Sequence, residues 1–313
     1  MSKASVLALL LSSCVFAACG PAGRDEDTDG DGDGMGDGDG SDMTEQPRQC
    51  EKMDIVFIVD NSGSMEEEQQ NLATNFPLFA EKIRNYTVPN GQPLDFRVAL
   101  TTTGRDVNYS VSVPGFGTLP QSEQGENGEF QNNCNNTARW LDKSSPNFDA
   151  TMACRANVGT TGSGIEMPLL MTKWALAERV QDGTNAGFIR EDALLAVVML
   201  TDEDDSSTTE DGFTMDATGT TPINFGGADL ATFLDQAKGN RTRWAAGVIA
   251  GEGNCSSGFG NAADGTRLKE FVTEANSGGY QQAVFSSICD GDLTIGLQKA
   301  LDLFQTACGQ IIL

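Results

Sequence analysis

A short polar segment of the chain has the residue types and spacing of a cation site. Asp60, Ser62 and Ser64 occupy alternate positions directly after the apolar run 55–59. Alternate spacing can bring one carboxylate and two hydroxyls to the same side of a tight turn, and such oxygen ligands suit a hard cation such as Mg²⁺ or Mn²⁺. The alternative is that the two serines only cap a following helix, whose acidic first turn would complement the helix dipole.

A second acidic segment follows another apolar run. The residues 201–205, TDEDD, come directly after the run 193–200. Because ligands of open α/β sheets bind at the carboxyl ends of the strands, we expect Asp202 to approach Asp60 at this edge. The last two aspartates of the segment are interpreted as solvated loop charges.

The composition excludes several kinds of chemistry. Histidine is absent and the formal net charge is −25. The absence of histidine removes the usual general base, the serine–histidine triads and the histidine-based zinc sites. A surface this acidic repels phosphate backbones, so we expect no nucleic-acid binding.

Strands and helices must position these residues. After Met53 the sequence alternates between apolar runs and stretches of helical periodicity, which is typical of parallel strands buried between helices. The sequence therefore predicts an α/β fold with a doubly wound, mostly parallel central sheet flanked by helices. Strands are predicted at 55–59, around 96–100, and at 193–200, 244–250 and 283–288.

The helices are predicted from apolar residues at helical spacing. The first follows the first strand, and Pro77 should kink it or begin a second segment. Another is predicted over 165–180, and further helices are predicted around 230–234, 268–275 and 293–304. The polar stretch 104–158 is predicted to be an irregular, hairpin-like insertion, pinned by a disulfide between Cys134 and Cys154.

The N-terminus has the features of an export signal over residues 1–19. Lys3 is the positive flank, and the apolar run that starts at Val6 is too short to span a bilayer permanently. The sequence Phe-Ala-Ala-Cys that ends at Cys19 resembles the lipobox of bacterial lipoproteins, in which the cysteine is lipidated. We therefore expect a membrane anchor made of lipid.

Residues 20–49 are rich in Asp and Gly and have almost nothing apolar to bury, which predicts a solvated, self-repelling tether before a domain at 50–313. The spacing that begins at Asp27 is similar to that of a calcium loop, but Gly38 stands where the closing glutamate should be. We therefore interpret this segment as a linker rather than an ordered calcium site.

Cysteine use indicates an oxidising compartment. Of the eight cysteines, Cys14 would leave with the signal and Cys19 would carry lipid, so six remain. An even number in an exported chain indicates disulfides, although six cysteines permit fifteen pairings and the sequence alone does not choose among them. None forms a Cys-x-x-Cys motif, which leaves a zinc or redox role without support.

The two acidic segments together resemble the von Willebrand factor A family over roughly residues 53–308. The metal-ion-dependent adhesion site of that family uses Asp-x-Ser-x-Ser, a distant threonine and a later aspartate. Asp60, Ser62 and Ser64 match the first motif, and Asp202 matches the aspartate of the usual Thr-Asp-Gly, whose glycine is Glu203 here. The threonine should precede the third helix, where we assign Thr161.

Thr160 is the alternative to Thr161 as the threonine ligand. The segment 159–166, together with 188–190 and the TDEDD run, is further similar to a group of von Willebrand factor A lipoproteins inferred in myxobacteria. The resemblance also implies that the first strand and the last helix finish close together. We therefore expect disulfides Cys50–Cys308 and Cys255–Cys289 beside Cys134–Cys154.

The resemblance implies binding rather than catalysis. A divalent cation, Mg²⁺ in the first place and Mn²⁺ or Ca²⁺ otherwise, would keep an open coordination position that an acidic residue of a protein partner completes. The chain would then be a lipid-anchored adhesion or scaffold module of the cell envelope, expected at the outer membrane. The alternatives are a metal-assisted hydrolase, with Asp60, Asp202, Glu203 and Asp204 as a carboxylate cluster, and a passive structural lipoprotein.

Overall fold

The structure is a computed structural model that describes residues 50–88, 91–215, 221–258 and 260–311. The expected signal peptide with Cys19, and the acidic linker 20–49 with its calcium-like spacing, lie outside the described residues. Within those ranges, no helix is both long and apolar enough to cross a membrane.

The described residues form strands and helices in alternation over most of their length. The strands are β1 (Lys52–Val59), β2 (Asp95–Thr102), β3 (Val107–Val113), β4 (Gly117–Glu123), β5 (Leu141–Asp142), β6 (Leu194–Leu200), β7 (Phe213–Met215), β8 (Trp244–Ala250), β9 (Cys255–Ser257), β10 (Gly260–Ala262) and β11 (Ala283–Ser287). The α-helices are α1 (Glu66–Asn85), α2 (Phe148–Ala156), α3 (Pro168–Leu176), α4 (Glu178–Gln181), α5 (Gly227–Lys238), α6 (Thr266–Ala275) and α7 (Leu293–Gln310).

Six strands make the central sheet, in the order β11-β8-β6-β1-β2-β5. All neighbouring pairs are parallel except β2 and β5, which pair antiparallel at the edge of the sheet. Two smaller sheets lie outside it, one of β4, β3 and β7 and one of β9 and β10. The predicted fold class, a mostly parallel sheet between helices, is confirmed.

The central strand β1 is buried on both faces because successive side chains of a strand point to opposite sides. Ile55 and Phe57 join one apolar cluster with residues of α1 and α7. Val56 and Ile58 join a second cluster with residues of α3, α5 and α6. Helices therefore cover both faces of the sheet, which explains why β1 is a continuous apolar run in the sequence.

The winding of the sheet changes direction at β1. The chain runs from β1 to β2 on one side, and then returns to β6 on the other side of β1. In open α/β sheets, the crevice outside the carboxyl ends of the strands at such a point is where ligands bind. Asp60 follows β1 and Thr201 follows β6, so both residues stand at this crevice.

Two helix predictions differ from the structure. Helix α1 runs through Pro77 without a break, where the sequence predicted a kink or a second segment. The helix predicted over 165–180 begins only at Pro168, which is favoured in the first turn because its missing N–H would be unpaired there in any case. It ends at Leu176, and a separate short turn, α4, follows.

The stretch 104–158 is more regular than the sequence predicted. It contains the β3–β4 hairpin, the edge strand β5 and helix α2. Phe148 of α2 packs on Phe96 of β2, with ring centroids 5.2 Å apart. Strand β5 pairs with β2, and the hairpin pairs through β3 with β7, so these short elements are held by partners that are distant in the sequence.

Three disulfides join the cysteines of the described residues, and they are the pairs expected from the sequence. Cys50 is bonded to Cys308, Cys134 to Cys154 and Cys255 to Cys289. The first closes a loop with a sequence separation of 258 residues, and the second one of only 20 residues. Disulfides of this kind are typical of proteins outside the cytosol.

We predict that the long disulfide stabilises the fold more than the short one. Chain-entropy arguments assign about 5 to 6 kcal/mol to a loop as long as that of Cys50 and Cys308, and about 3 kcal/mol to that of Cys134 and Cys154. Urea unfolding should therefore show a larger loss of unfolding free energy for the double variant Cys50→Ala/Cys308→Ala than for Cys134→Ala/Cys154→Ala. Equal losses would contradict the prediction.

Candidate functional site

Asp60 is the centre of the candidate site and is fully buried. Its backbone N–H donates to the carbonyl of Leu200 over 2.9 Å, which extends the pairing of β1 and β6 by one residue. Its Oδ1 accepts the N–H of Ser62 over 2.8 Å, and its Oδ2 accepts the hydroxyl of Thr201 over 2.6 Å. The carboxylate is therefore fixed by donors from both strand ends.

Ser62 and Ser64 link Asp60 to Asp202. The two serine hydroxyl oxygens are 3.0 Å apart, and the Ser64 hydroxyl donates to Asp202 Oδ1 over 3.2 Å. Neither serine caps a helix: Ser62 precedes the 3₁₀ turn Gly63–Met65 without a side-chain cap, and Met65 is the residue before α1. The helix-capping alternative is therefore wrong, and the hydroxyls face the two carboxylates.

The segment that carries Thr161 lies against the same turn. Gly162 donates its N–H to the carbonyl of Asn61 over 2.7 Å. A Cβ at Gly162 would come within 2.0 Å of Asn61 Oδ1, so a larger residue there would displace the Asn61 side chain. Thr161 is exposed and Thr160 is half-buried, and within the described part of the chain neither hydroxyl forms a hydrogen bond with the other four candidate ligands.

Three further acidic residues surround these ligands. Glu166, at the start of the chain segment that leads into α3, is buried and lies close to the carboxyl group of the exposed Glu203. Glu68, on the first turn of α1, is buried against Gly260 of β10. The oxygens Asn61 Oδ1, Glu68 Oε2 and Glu166 Oε1 are buried and have no hydrogen-bond partner.

Burial and mutual repulsion raise the pKa values of these acids. Burial raises the pKa of Asp60 despite the donors from Thr201 and Ser62, and the charge of Glu203 adds to the increase. Burial and then the charge of Asp60 raise the pKa of Asp202 to about 7. Burial raises the pKa of Glu68 to about 7, and burial with the charges of Asp60 and Glu203 raises that of Glu166 to about 10.

The cluster has no basic partner. Among the described residues, no ion pair includes Asp60, Glu68, Glu166, Asp202 or Glu203. The opposite end of β1 shows the contrast, because the equally buried Asp54 is paired there with Arg190 over 2.8 Å. Buried acids without a partner are costly, so the cluster at the carboxyl edge needs protons or a cation.

The donor set fits a hard cation held mainly by neutral oxygens. Within the described ranges, no three carboxylate or thiol groups converge closely enough to hold a metal by themselves. A cation here would rely on Asp60 and Asp202 together with hydroxyls and water, which is a composition that suits Mg²⁺, Mn²⁺ or Ca²⁺ rather than a softer metal.

Asp204 and Asp205 are not solvated loop charges as the sequence suggested. Asp205 is fully buried and accepts the N–H of Leu169 over 3.0 Å, so it caps the start of α3. Asp204 accepts the N–H of Arg267 over 2.9 Å and so binds the start of α6. The correction has a physical reason: both carboxylates replace main-chain acceptors that the first turn of a helix lacks.

Sequence reasoning missed Thr201, Glu68 and Glu166. Thr201 could have been found, because, like Asp60, it directly follows an apolar run that was predicted to be a buried strand. Glu68 and Glu166 gave no such signal, since each is brought to the site by packing between elements that are far apart in the sequence.

Comparisons with known proteins leave the family open. No family model matches the sequence, and no curated protein matches it either. Among solved structures, the chain is similar to proximal thread matrix protein 1 of the mussel byssus, with 14% identity and a TM-score of 0.39 over 83% of this chain and 47% of that one.

Two further structures are similar at the same level. One is the pilus adhesin SpaC of Lactobacillus rhamnosus GG in its open conformation, with 13% identity and a TM-score of 0.41 over 83% of this chain and 30% of that one. The other is the manganese-loaded TRAP protein of Plasmodium vivax, with 12% identity and a TM-score of 0.38 over 84% and 76%. The chain spans less than half of the mussel and pilus proteins, and TM-scores this low carry no argument about function.

We predict that the cation-free protein loses stability as the pH rises through 7. In the folded state the pKa values of Asp202 and Glu68 are about 7, against ordinary values of 3.8 and 4.5. Their contribution to stability is therefore complete below about pH 4 and is lost as the pH rises through about 7. In chelator, the free energy of unfolding measured with urea should fall between pH 5 and pH 8.

The control for this prediction is a second glutamate of α1. Glu68→Gln should make the decline shallower, whereas Glu81→Gln, at an exposed position nearer the other end of the same helix, should leave it unchanged. A stability that stays level over this range in wild type would contradict the prediction.

Proposed function

We propose that the chain is an envelope-anchored binding module whose candidate site holds a divalent cation, Mg²⁺ in the first place, and through it an acidic residue of a protein partner. Asp60, Ser62, Ser64, Thr161 and Asp202 would be the ligands. The observation that carries the proposal is the pair of buried aspartates at neighbouring strand ends, bridged by serine hydroxyls and without a basic partner.

Electrostatics favours a cation over protons at this place. A divalent cation would offset the burial and the repulsion that raise the pKa values of Asp60 and Asp202. Four of the proposed ligands already form one hydrogen-bonded group, so little ordering is needed when a cation arrives. Thr161 would complete the set because its loop is fixed against Asn61.

The partner would be recognised through an acidic side chain. Two carboxylates and three neutral hydroxyls leave positive charge on a divalent cation and a free coordination position. An Asp or Glu of the partner would fill that position, as the resemblance to the von Willebrand factor A family implies. The net charge of −25 makes the cation the most favourable point at which an acidic group can approach the surface.

The hydrolase alternative receives no support from the site. It requires Asp204 in the same cluster as Asp60 and Asp202, but Asp204 is engaged by the backbone of Arg267. The serine and threonine ligands are also not general bases at neutral pH.

We predict that cation binding depends on Asp60 more than on Ser62. Calorimetric titration of Mg²⁺ or Mn²⁺ should show binding to wild type, no measurable binding to Asp60→Ala, and weakened binding to Ser62→Ala, because a water replaces a neutral hydroxyl more readily than a carboxylate. The charge-matched control is Glu270→Ala, at an exposed position on α6, which should bind as wild type does. Equal affinity of Asp60→Ala and wild type would refute the adhesion-type site.

The same variants test the binding of a partner. Protein captured from envelope extract by immobilised wild type should be released by chelator and captured again when Mg²⁺ or Mn²⁺ is restored. Asp60→Ala should capture none of it. Turnover of a small ester or phosphate by the metal-loaded protein, with no macromolecular partner, would favour hydrolysis instead.

We also predict that Cys19 anchors the protein. With Cys19 lipidated, the mature protein should sediment with membranes, and Cys19→Ser should release it to the soluble fraction, because acyl chains would be the anchor of so acidic a chain. Mass spectrometry of the N-terminal peptide checks the acylation. Unaltered protein in the soluble fraction with a free N-terminus would sink this prediction.

A further inference from the structure

The β3–β4 hairpin is an uncharged projection on a strongly acidic chain. Residues 107–122 include no Asp, Glu, Lys or Arg, although the net charge is −25. Six of the seven residues of β4 are exposed. Phe116 at the tip is 82% exposed, and Leu119 of β4 is 45% exposed. A phenyl group this exposed on an uncharged hairpin is a candidate for contact with another molecule.

The tip holds Phe116 in one conformation. The Phe116 N–H donates to the carbonyl of Val113 over 3.0 Å, which closes a turn through Pro114 and Gly115. Gly115 has φ +83°, and a Pro-Gly pair with positive φ at the glycine is the pattern of a type II turn. The phenyl group is therefore presented on a turn that is already ordered, which lowers the entropy lost on binding.

The free edge of β4 is poorly suited to strand pairing. β4 lies at the edge of its sheet, and Pro120 stands in the middle of the strand opposite Ser110. Proline has no N–H to donate, and it blocks edge-to-edge pairing in natural sheets. The hairpin must therefore bind through its side chains, and Phe116 is the largest and most exposed of them.

A groove between α1 and α7 offers a matching receptor. Leu78, Phe79 and Leu297 line a cavity of about 110 Å³, and Lys82 lies at the same cavity. This volume is of the order that accepts a benzene ring. Leu78 is itself 51% exposed, and Ile295 of α7 is 42% exposed. Of the five large apolar side chains exposed among the described residues, two are thus on the hairpin and two on these helices.

We propose that Phe116 of one copy of this chain inserts into the groove between α1 and α7 of a second copy. Two copies with a net charge of −25 repel each other, so contact is favoured where no acidic groups meet. The hairpin is uncharged, and the cavity itself is lined by Lys82 and uncharged residues, with Glu81 only in the adjoining part of the groove. The contact joins two different surfaces, and a head-to-tail contact of this kind adds copies in a row unless the rotation closes a ring.

The contact is small, so the association should be weak. A hairpin tip in a groove buries far less than the ~1,200 Å² of a stable complex, so the association belongs to the weak, transient class. It does not involve the cation site, and Asp60→Ala should therefore associate as wild type does. Failure of the proposed cation site would leave this inference unaffected.

The test is sedimentation velocity of the full chain carrying Cys19→Ser, which removes the proposed acyl anchor. Between ~10 μM and ~1 mM protein, the mean sedimentation coefficient should rise with concentration. The rise should be larger in ~500 mM than in ~50 mM NaCl, because salt screens the repulsion between copies. Phe116→Ala should lower the association constant roughly tenfold or more. The control Tyr280→Ala, which removes an aromatic ring 42% exposed outside both surfaces, should have no effect.

A mixing experiment separates a head-to-tail contact from a symmetric one. Phe116→Ala keeps an intact groove and Leu78→Asp keeps an intact hairpin, so each alone should be monomeric and their mixture should form dimers but no longer species. Circular dichroism checks that both variants are folded. A wild type that is monomeric over the whole range overturns the proposal, as does self-association of Phe116→Ala equal to that of wild type, or a mixture that forms no dimers.

Discussion

The repulsion between Asp60 and Asp202 is the constraint on which the rest of the candidate site depends. The two acids cannot separate, because Asp60 lies just after β1 and Asp202 lies just after β6. The pairing of these two strands fixes both positions. The hydroxyls of Thr201 and Ser64 donate to them and offset part of the repulsion. The Ser64 hydroxyl could equally turn a lone pair toward a cation, so the same group would serve the proposed cation-bound state as well as the cation-free one.

The surrounding loops are organised around this edge of the sheet. Gly162 brings the segment of Thr161 against Asn61, while Asp205 and Asp204 use their carboxylates to hold the starts of α3 and α6. The acidic residues of the TDEDD segment thus have two different roles, which the sequence alone does not distinguish. Asp202 remains beside Asp60 with a single serine donor, whereas Asp205 accepts hydrogen bonds from the N–H groups of Leu169 and Ser207 and from the Ser207 hydroxyl.

The sequence predicted those parts of the fold whose cause is local. The strands β1, β6 and β8 contain continuous apolar runs because helices cover both of their faces. Burial on both faces favours an apolar residue at successive positions, which the sequence shows directly. The edge strand β5 and helix α2 depend on distant partners such as Phe96, and no local pattern of the sequence predicts them. The same distinction holds at the site. The Asp-x-Ser-x-Ser motif is local, whereas the contact of Glu166 with Glu203 exists only after the chain has folded.

Helix α7 is held covalently at both ends. Cys308 joins its last turn to Cys50, just before β1, and Cys289, four residues before its first residue, is bonded to Cys255 in the β9–β10 hairpin. A pull on the chain before Cys50 therefore reaches the central strand and the last helix together, so the load is divided between two elements that pack on each other. From residue 50 to residue 308 the polypeptide is a closed ring. This ring has no free end, so fraying cannot begin within it. Proteolysis and mechanical unravelling usually begin by fraying at a terminus.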